Sequence, residues 1–183
     1  MCEVMIDIET MAVSSNAAIL TIGAIKFNRN GNNSDITKMD RFYSRVDMKS
    51  CVDVGLKVDP TTIKWWSTQP KEISKEIYTT EDRFSIQTAL ESFSEWYGNT
   101  KTTTHVWGHG SHFDIPIMES AYKACGLKPP WGFWQVRDTR TLYEAVSVER
   151  PNMYKNMKHH AMYDAFRQIV AVQNAFKKLR CIK

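Results

Sequence analysis

The chain has 183 residues, of which 43% are hydrophobic, 11% aromatic and 24% charged, with a formal net charge of +4. That is enough material for one domain, residues 1–183, with a sizeable core, and the mild positive charge permits a polyanionic partner without requiring one. No apolar run is long enough to span a bilayer and no basic segment leads into an apolar one, so no membrane partner and a cytoplasmic location are expected. Cys2, Cys51, Cys125 and Cys181 are scattered without CxxC spacing and read as reduced thiols, neither a disulfide framework nor a zinc site.

The first element is "VMIDIETM", residues 4–11. Val4, Ile6 and Ile8 alternate with Met5, Asp7 and Glu9, the period-two pattern of a β-strand. One face is aliphatic; the other carries two carboxylates roughly 7 Å apart by strand rise. "AAILTIGAIKFNRNGN" reads as a second strand ending in a turn, and "MDRFYSRVDM" as a third, giving an antiparallel meander. "VDPTTIKWWSTQP" is predicted as a short helix, with Asp59 as its cap, Pro60 in the first helical position and Pro70 past its end. "SIQTALESFSEWYG" follows as a longer helix whose stripe is Ile86, Leu90, Phe93 and Tyr97. "THVWGHG" is a short strand, and "DIPIMESAYKACG" a helix with Asp114 as cap and Gly126 as stop. "WQVRDTRTLY" supplies another strand entering a helix. The last helix, about Ala161 to Leu179, carries Ala165, Ile169, Val172 and Phe176 inward. Strands first and then strands alternating with helices give an α/β fold: a central mixed sheet, antiparallel in its first three strands and then parallel, flanked by helices.

A bare D-x-E on a strand is ordinarily a solvated face. Two further acids change that balance. Asp114 stands where a strand-loop gives way to a helix in "GHGSHFDIP", and Asp164 lies beside core positions in "KHHAMYDAF". Four converging carboxylates repel and raise their own pKa values unless cations sit among them. Oxygen donors of this kind suit Mg²⁺ or Mn²⁺, and two such ions clamp both oxygens of a phosphoryl displacement.

In order, "MIDIETM", "GSHFD" and "HHAMYDA" resemble the three motifs of the DnaQ-like, DEDDh-type 3′–5′ exonucleases. Three motifs in the right order across most of the chain are far more specific than any one. The stretches "KWW", "VWGHGSHFD" and "VRDTRTL" further resemble the compact phage and bacterial exonucleases and exoribonucleases. The resemblance implies an RNase H-like fold in which Asp7, Glu9, Asp114 and Asp164 hold two divalent cations, Mg²⁺ or Mn²⁺. Asp7 would bridge them, Glu9 and Asp164 would complete one, and Asp114 would reach the other partly through water. It implies His159 as the general base on the attacking water, a role worth 10²–10⁴-fold. Thr10, through its backbone or hydroxyl, and Met11, by packing, would meet the terminal nucleotide. The substrate implied is the 3′ end of single-stranded DNA or RNA, with DNA ahead on the phage-like resemblance and nucleoside 5′-monophosphates as products. A phage-encoded chain would act in the host cytoplasm.

Two histidines compete for the base. Five residues turn 500° on a regular helix, so His159 would sit about 140° from Asp164, whereas His160, four residues away, would share its face. The family spacing H-x4-D selects His159, which requires a helix that starts near His160 with His159 on a loop before it. His105, His109 and His112 have metal-like spacing but no second ligand pair, and are set aside. Trp65 and Trp66 are adjacent on a helix, so one belongs to the core and the other is free to stack on a base. Trp131, Phe133 and Trp134 in "WGFW" read as core or subunit interface, which leaves a homodimer open. Arg137, Arg140, Arg150, Lys155 and Lys158 precede the last helix; their default reading is a solvated surface, and the alternative, given their place near His159, is a groove that tracks the phosphate backbone. The competing classes are a silent nucleic-acid-binding protein of the same fold and an endonuclease of the ribonuclease H type. The tight D-x-E pair and the histidine before the last acid favour the exonuclease.

Overall fold

The computed structural model describes residues 2–181. The elements are β1 (Cys2–Thr10), β2 (Ile19–Phe27), β3 (Arg41–Val46), α1 (Met48–Asp53), α2 (Pro60–Ser67), α3 (Lys71–Tyr78), β4 (Arg83–Phe84), α4 (Ile86–Tyr97), β5 (Thr103–Gly108), α5 (Asp114–Ala124), β6 (Val136–Asp138), α6 (Thr139–Val146) and α7 (Ala161–Cys181). The six strands form one sheet in the order β4-β3-β2-β1-β5-β6. β1–β2 and β2–β3 are antiparallel, while β5 lies parallel to β1 and β6 parallel to β5. The expected mixed sheet is therefore the observed one. β1 lies between two neighbours and is covered on both faces, so its pattern of burial is nearly continuous rather than alternating. Val4, Ile6 and Ile8 join the larger core cluster with α4 and α5, and Met5 joins the other, beneath α7.

The local signals act as expected. Asp59 caps α2 by accepting from the Thr61 amide at 2.7 Å, with Pro60 first in the helix. Ile86, Leu90, Phe93 and Tyr97 of α4 are buried, and Gly126 ends α5 in the left-handed region at φ +68°. Three elements have no counterpart in the sequence reading: α1, α3 and the two-residue β4. The short, charged α3 buries only Ile73 and Ile77, too brief a stripe to stand out from a polar loop.

Gly23 on β2, the register partner of Asp7, determines how closely α7 approaches the sheet. A Cβ there would come within 2.7 Å of the Ala161 carbonyl carbon and the Met162 nitrogen. Only glycine lets the first turn of α7 rest on the strand backbone, and that turn carries Asp164.

Candidate active site

At the carboxyl ends of β1 and β5 a cleft of about 630 Å³ opens, lined by Asp7, Glu9, Asp114 and Asp164 among others. Each acid is delivered by a different constraint. Asp7 and Glu9 share the face of β1 that looks toward α7. Asp114 is the first residue of α5 rather than its cap; Phe113 holds the cap position without a side-chain bond. Its carboxylate instead reaches back across the sheet, accepting from the amides of Ile8 (3.2 Å) and His109 (2.8 Å). The expected cap is thus corrected: the group that would satisfy its own helix is spent bracing β1 and β5. Asp164 stands in the first turn of α7, accepts from the His159 amide at 2.7 Å and pairs with Arg167. Gln168, one turn further along, donates to Asp7 at 2.6 Å.

Among the described residues no cation lies within ion-pair distance of Asp7, Glu9 or Asp114. Burial, then repulsion from Asp114 and Glu9, holds the Asp7 carboxyl well above the usual range despite the Gln168 bond. Burial, reinforced by Asp114, pushes Glu9 up to about 8. Burial also raises Asp114, to about 6, against the opposing pull of its backbone hydrogen bonds. A cluster this hostile to its own charge, built only of oxygen donors, fits a hard divalent cation. Glu9, His159 and Asp164 each offer one ligand atom within 4.8 Å of the others.

The two histidines part at the start of α7. The helix begins at Ala161, and His159 precedes it in the left-handed region at φ +66°. That kink turns the His159 side chain into the cleft, where its ring meets Trp65 edge to face at 5.0 Å. Burial first, and then Lys158, Arg167 and Arg150, lower its pKa, which favours the neutral imidazole. His160 turns the other way, stacking on Tyr43 at 5.1 Å.

The tryptophans divide as anticipated. Trp66 is 1% exposed and Trp65 42%. The Trp66 indole donates to the Thr10 carbonyl at 2.9 Å, and the Asp59 amide to the Met11 carbonyl at 2.7 Å. These two bonds dock α2 over the end of β1 and bring Trp65 to the cleft wall. Thr10 lines the cleft, but its hydroxyl donates to the Ala12 carbonyl at 2.6 Å. Met11 does not line it. That expectation is corrected: Met11 is 2% exposed and packs in the core, because β1 has ended and the chain turns in to meet α2.

Of the five basic residues singled out, Arg140, Arg150 and Lys158 line the cleft. His105, His109 and His112 do not converge: His105 contacts Glu3, and His109 accepts or shares a hydrogen bond with Thr139 at 2.7 Å inside the cleft. Trp131 is core, whereas Phe133 and Trp134 are 85% and 63% exposed. Sequence reasoning missed Gln168 and Arg167, which face the acids at one helical turn from Asp164; that spacing was the available signal.

Comparison with known proteins matches residues 2–176 to the family described as the 3′–5′ exoribonuclease Rv2179c-like domain. An exodeoxyribonuclease of Enterobacteria phage T4 is 27% identical over 172 residues, covering 82% of this chain and 74% of the relative. The zinc-bound E. coli ExoI–ssDNA complex superposes with a TM-score of 0.63 at 13% identity over 98% of this chain, which spans 43% of the ExoI chain. The nuclease domain of 3′hExo, a DEDDh family member bound to rAMP, gives 0.57 at 12% identity, covering 96% and 92% of the two chains. These last two likenesses speak to the fold, the RNase H-like arrangement of the DEDD exonucleases. No described helix is long and apolar enough to cross a membrane.

Proposed function

The chain belongs to the Rv2179c-like 3′–5′ exoribonuclease domain family and is a DEDDh-type 3′–5′ exonuclease, and from that premise we propose that it removes nucleoside 5′-monophosphates from the 3′ end of single-stranded nucleic acid. The observation that carries this reading is the group of three crowded carboxylates without ion-pair partners among the described residues, facing His159 across one cleft. Asp7, Glu9, Asp114 and Asp164 would hold two divalent ions, Mg²⁺ or Mn²⁺. When bound, the ions supply positive charge to the phosphate and to the attacking and leaving oxygens.

The chain's own residues do the rest. His159, whose charged form burial and three nearby cations disfavour, accepts the proton of the attacking water. Gln168, by donating to one oxygen of Asp7, fixes that carboxylate and leaves the other oxygen for a ligand. Arg140, Arg150 and Lys158 face the phosphates of the incoming strand. Trp65 offers an exposed indole to a base, and stacking of this kind tolerates any sequence. Stacking on an unpaired base favours single strands, and neither it nor the phosphate contacts select the sugar.

The relation to the T4 exodeoxyribonuclease favours DNA, and the family description favours RNA; we rank DNA first. The test supplies 5′-labelled single-stranded DNA and RNA of one sequence with Mg²⁺ or Mn²⁺, beside chelator and the Asp7→Asn variant. A ladder descending from the 3′ end, faster on DNA and lost with chelator and with Asp7→Asn, is the expected result. A faster RNA ladder reverses the ranking, and cleavage that survives chelator removes the metal reading.

A further inference from the structure

The pair His159–His160 divides one task between two rings, and we propose that His160 is a positioning residue: its ring, seated in an aromatic slot, sets the direction in which His159 enters the cleft. This rests on the reading of His159 as the base. The main chain reverses character within two residues, from the left-handed His159 to the helix that starts at Ala161. His160 stands at that junction. Its carbonyl accepts from the amides of Tyr163 and Asp164, both at 3.0 Å, and its own amide donates to Met157 at 3.3 Å.

The ring is held as firmly as the backbone. It stacks on Tyr43 at 5.1 Å with 19° between the planes, and meets Tyr163 edge to face at 4.9 Å. Tyr43 is fixed in turn, since its hydroxyl donates to Glu76 at 2.6 Å and Arg45 grips the same carboxylate through two bonds of 2.7 Å. Glu76 belongs to α3, which is tied to α2 by Ser74 donating to the Trp66 carbonyl and Tyr78 to the Ile63 carbonyl, each at 3.1 Å. The α2–α3 pair therefore acts on this junction by two routes, directly on His159 through α2 and indirectly on His160 through Tyr43. Trp65 and Trp66 bound the His159 ring at 5.0 and 6.4 Å, while Glu76 and Tyr43 hold the residue after it.

His160 Nδ1 is buried and has no hydrogen-bond partner among the described residues. Nδ1 therefore adds no hydrogen bond to the slot, and a buried unpaired nitrogen costs stability. The ring acts as a flat aromatic plate. Phenylalanine has the same flatness and no unpaired nitrogen, so it should replace His160 without loss. Alanine empties the slot and frees the left-handed turn.

The experiment measures kcat and KM on 5′-labelled single-stranded DNA with Mn²⁺ for the full chain and for His160→Ala, His160→Phe, His160→Leu and His159→Ala, with thermal melts of each. His160→Ala is expected to lower kcat about 10- to 100-fold, the scale of a misplacement near 1 Å, with KM within about twofold. His160→Phe is expected to restore kcat to within about threefold and to melt no lower than the parent. A folded His160→Ala with the parental kcat overturns the proposal, as does a folded His160→Phe no faster than His160→Ala, or a defect confined to KM. Should the alanine variant fail to fold, Phe against Leu decides: a slow Leu and a fast Phe support the stacked plate, and equal rates overturn it. An inactive parent, or an active His159→Ala, removes the reading beneath and this one with it. An active parent silenced by His159→Ala but indifferent to His160 removes this one alone.

Discussion

Glu3 and Asp7 lie on one face of β1, four residues and about 13 Å apart, and their surroundings differ in kind. Glu3, fully buried, is paired with Arg29 and accepts from the Trp107 indole at 3.0 Å, with His105 at 3.3 Å. Arg29 in turn packs over the rings of Trp107 and Phe176. At the other end, Asp7, Glu9 and Asp114 receive an amide from Gln168 and two backbone N–H groups, but no ion pair among the described residues. One strand thus carries a neutralised structural acid at one end and two acids of an unneutralised cluster at the other. The lesson is that burial of a carboxylate does not by itself mark a functional site. What marks it is charge that the chain leaves unbalanced where a cleft gives access.

The largest test of that contrast exchanges each acid for its amide. Glu3→Gln leaves Arg29 without its carboxylate and is expected to cost roughly 2–4 kcal/mol of stability, with cleavage by the folded fraction unchanged. Asp7→Asn is expected to lower cleavage by about 10³-fold or more while the metal-free chain becomes more heat-stable. Chemical denaturation and the labelled-strand assay read both, and a loss of stability in both variants would erase the distinction.

A second, smaller effect links metal to pH. Glu9 titrates at about 8 in the fold against 4.5 ordinarily, and Asp114 at about 6 against 3.8. Both folded values are raised, so across this window the native chain holds protons that the unfolded chain has lost. Metal-free stability is therefore fully present below about pH 4 and falls as the pH rises through about 8. Mn²⁺ at 100 times its Kd adds about 2.7 kcal/mol, or about 5–10 °C in Tm, at pH 8. At pH 5, where protons occupy the same oxygens, the gain should be much smaller. Thermal melts with chelator or Mn²⁺ at the two pH values give the comparison, and equal gains at both would contradict the carboxylate assignment.

The smallest effect concerns the cleft wall. Trp65→Ala should weaken single-strand binding by about 1–3 kcal/mol, with the melting temperature unchanged because the ring is exposed. An unchanged affinity measured by fluorescence anisotropy would move the stacking surface elsewhere.

Much of this molecule was legible locally. Period-two alternation marked β1, Asp59 and Pro60 marked α2, and the stripe of α4 marked its buried face, because each depends on neighbours within a few residues. The acids were legible as a motif, since D-x-E, F-D and H-x4-D survive as short strings. The cap role of Asp114 and the nucleotide contact of Met11 were misjudged for one reason. Each side chain found a partner far away in the sequence, the Ile8 amide for one and the core beneath α2 for the other.

By itself the sequence determined which residues could face one another on a strand or helix, and the order in which the acids occur. Tertiary structure alone decided that the acids meet: Gly23 lets α7 rest on β2, and Asp114 reaches across to β1. It also decided which of His159 and His160 turns into the cleft, and which of Trp65 and Trp66 is buried. In each pair, helical or loop geometry only forces neighbours apart. Which one faces the cleft depends on what stands opposite, here Tyr43 for His160 and the Thr10 carbonyl for Trp66, and those contacts span more than fifty residues of chain.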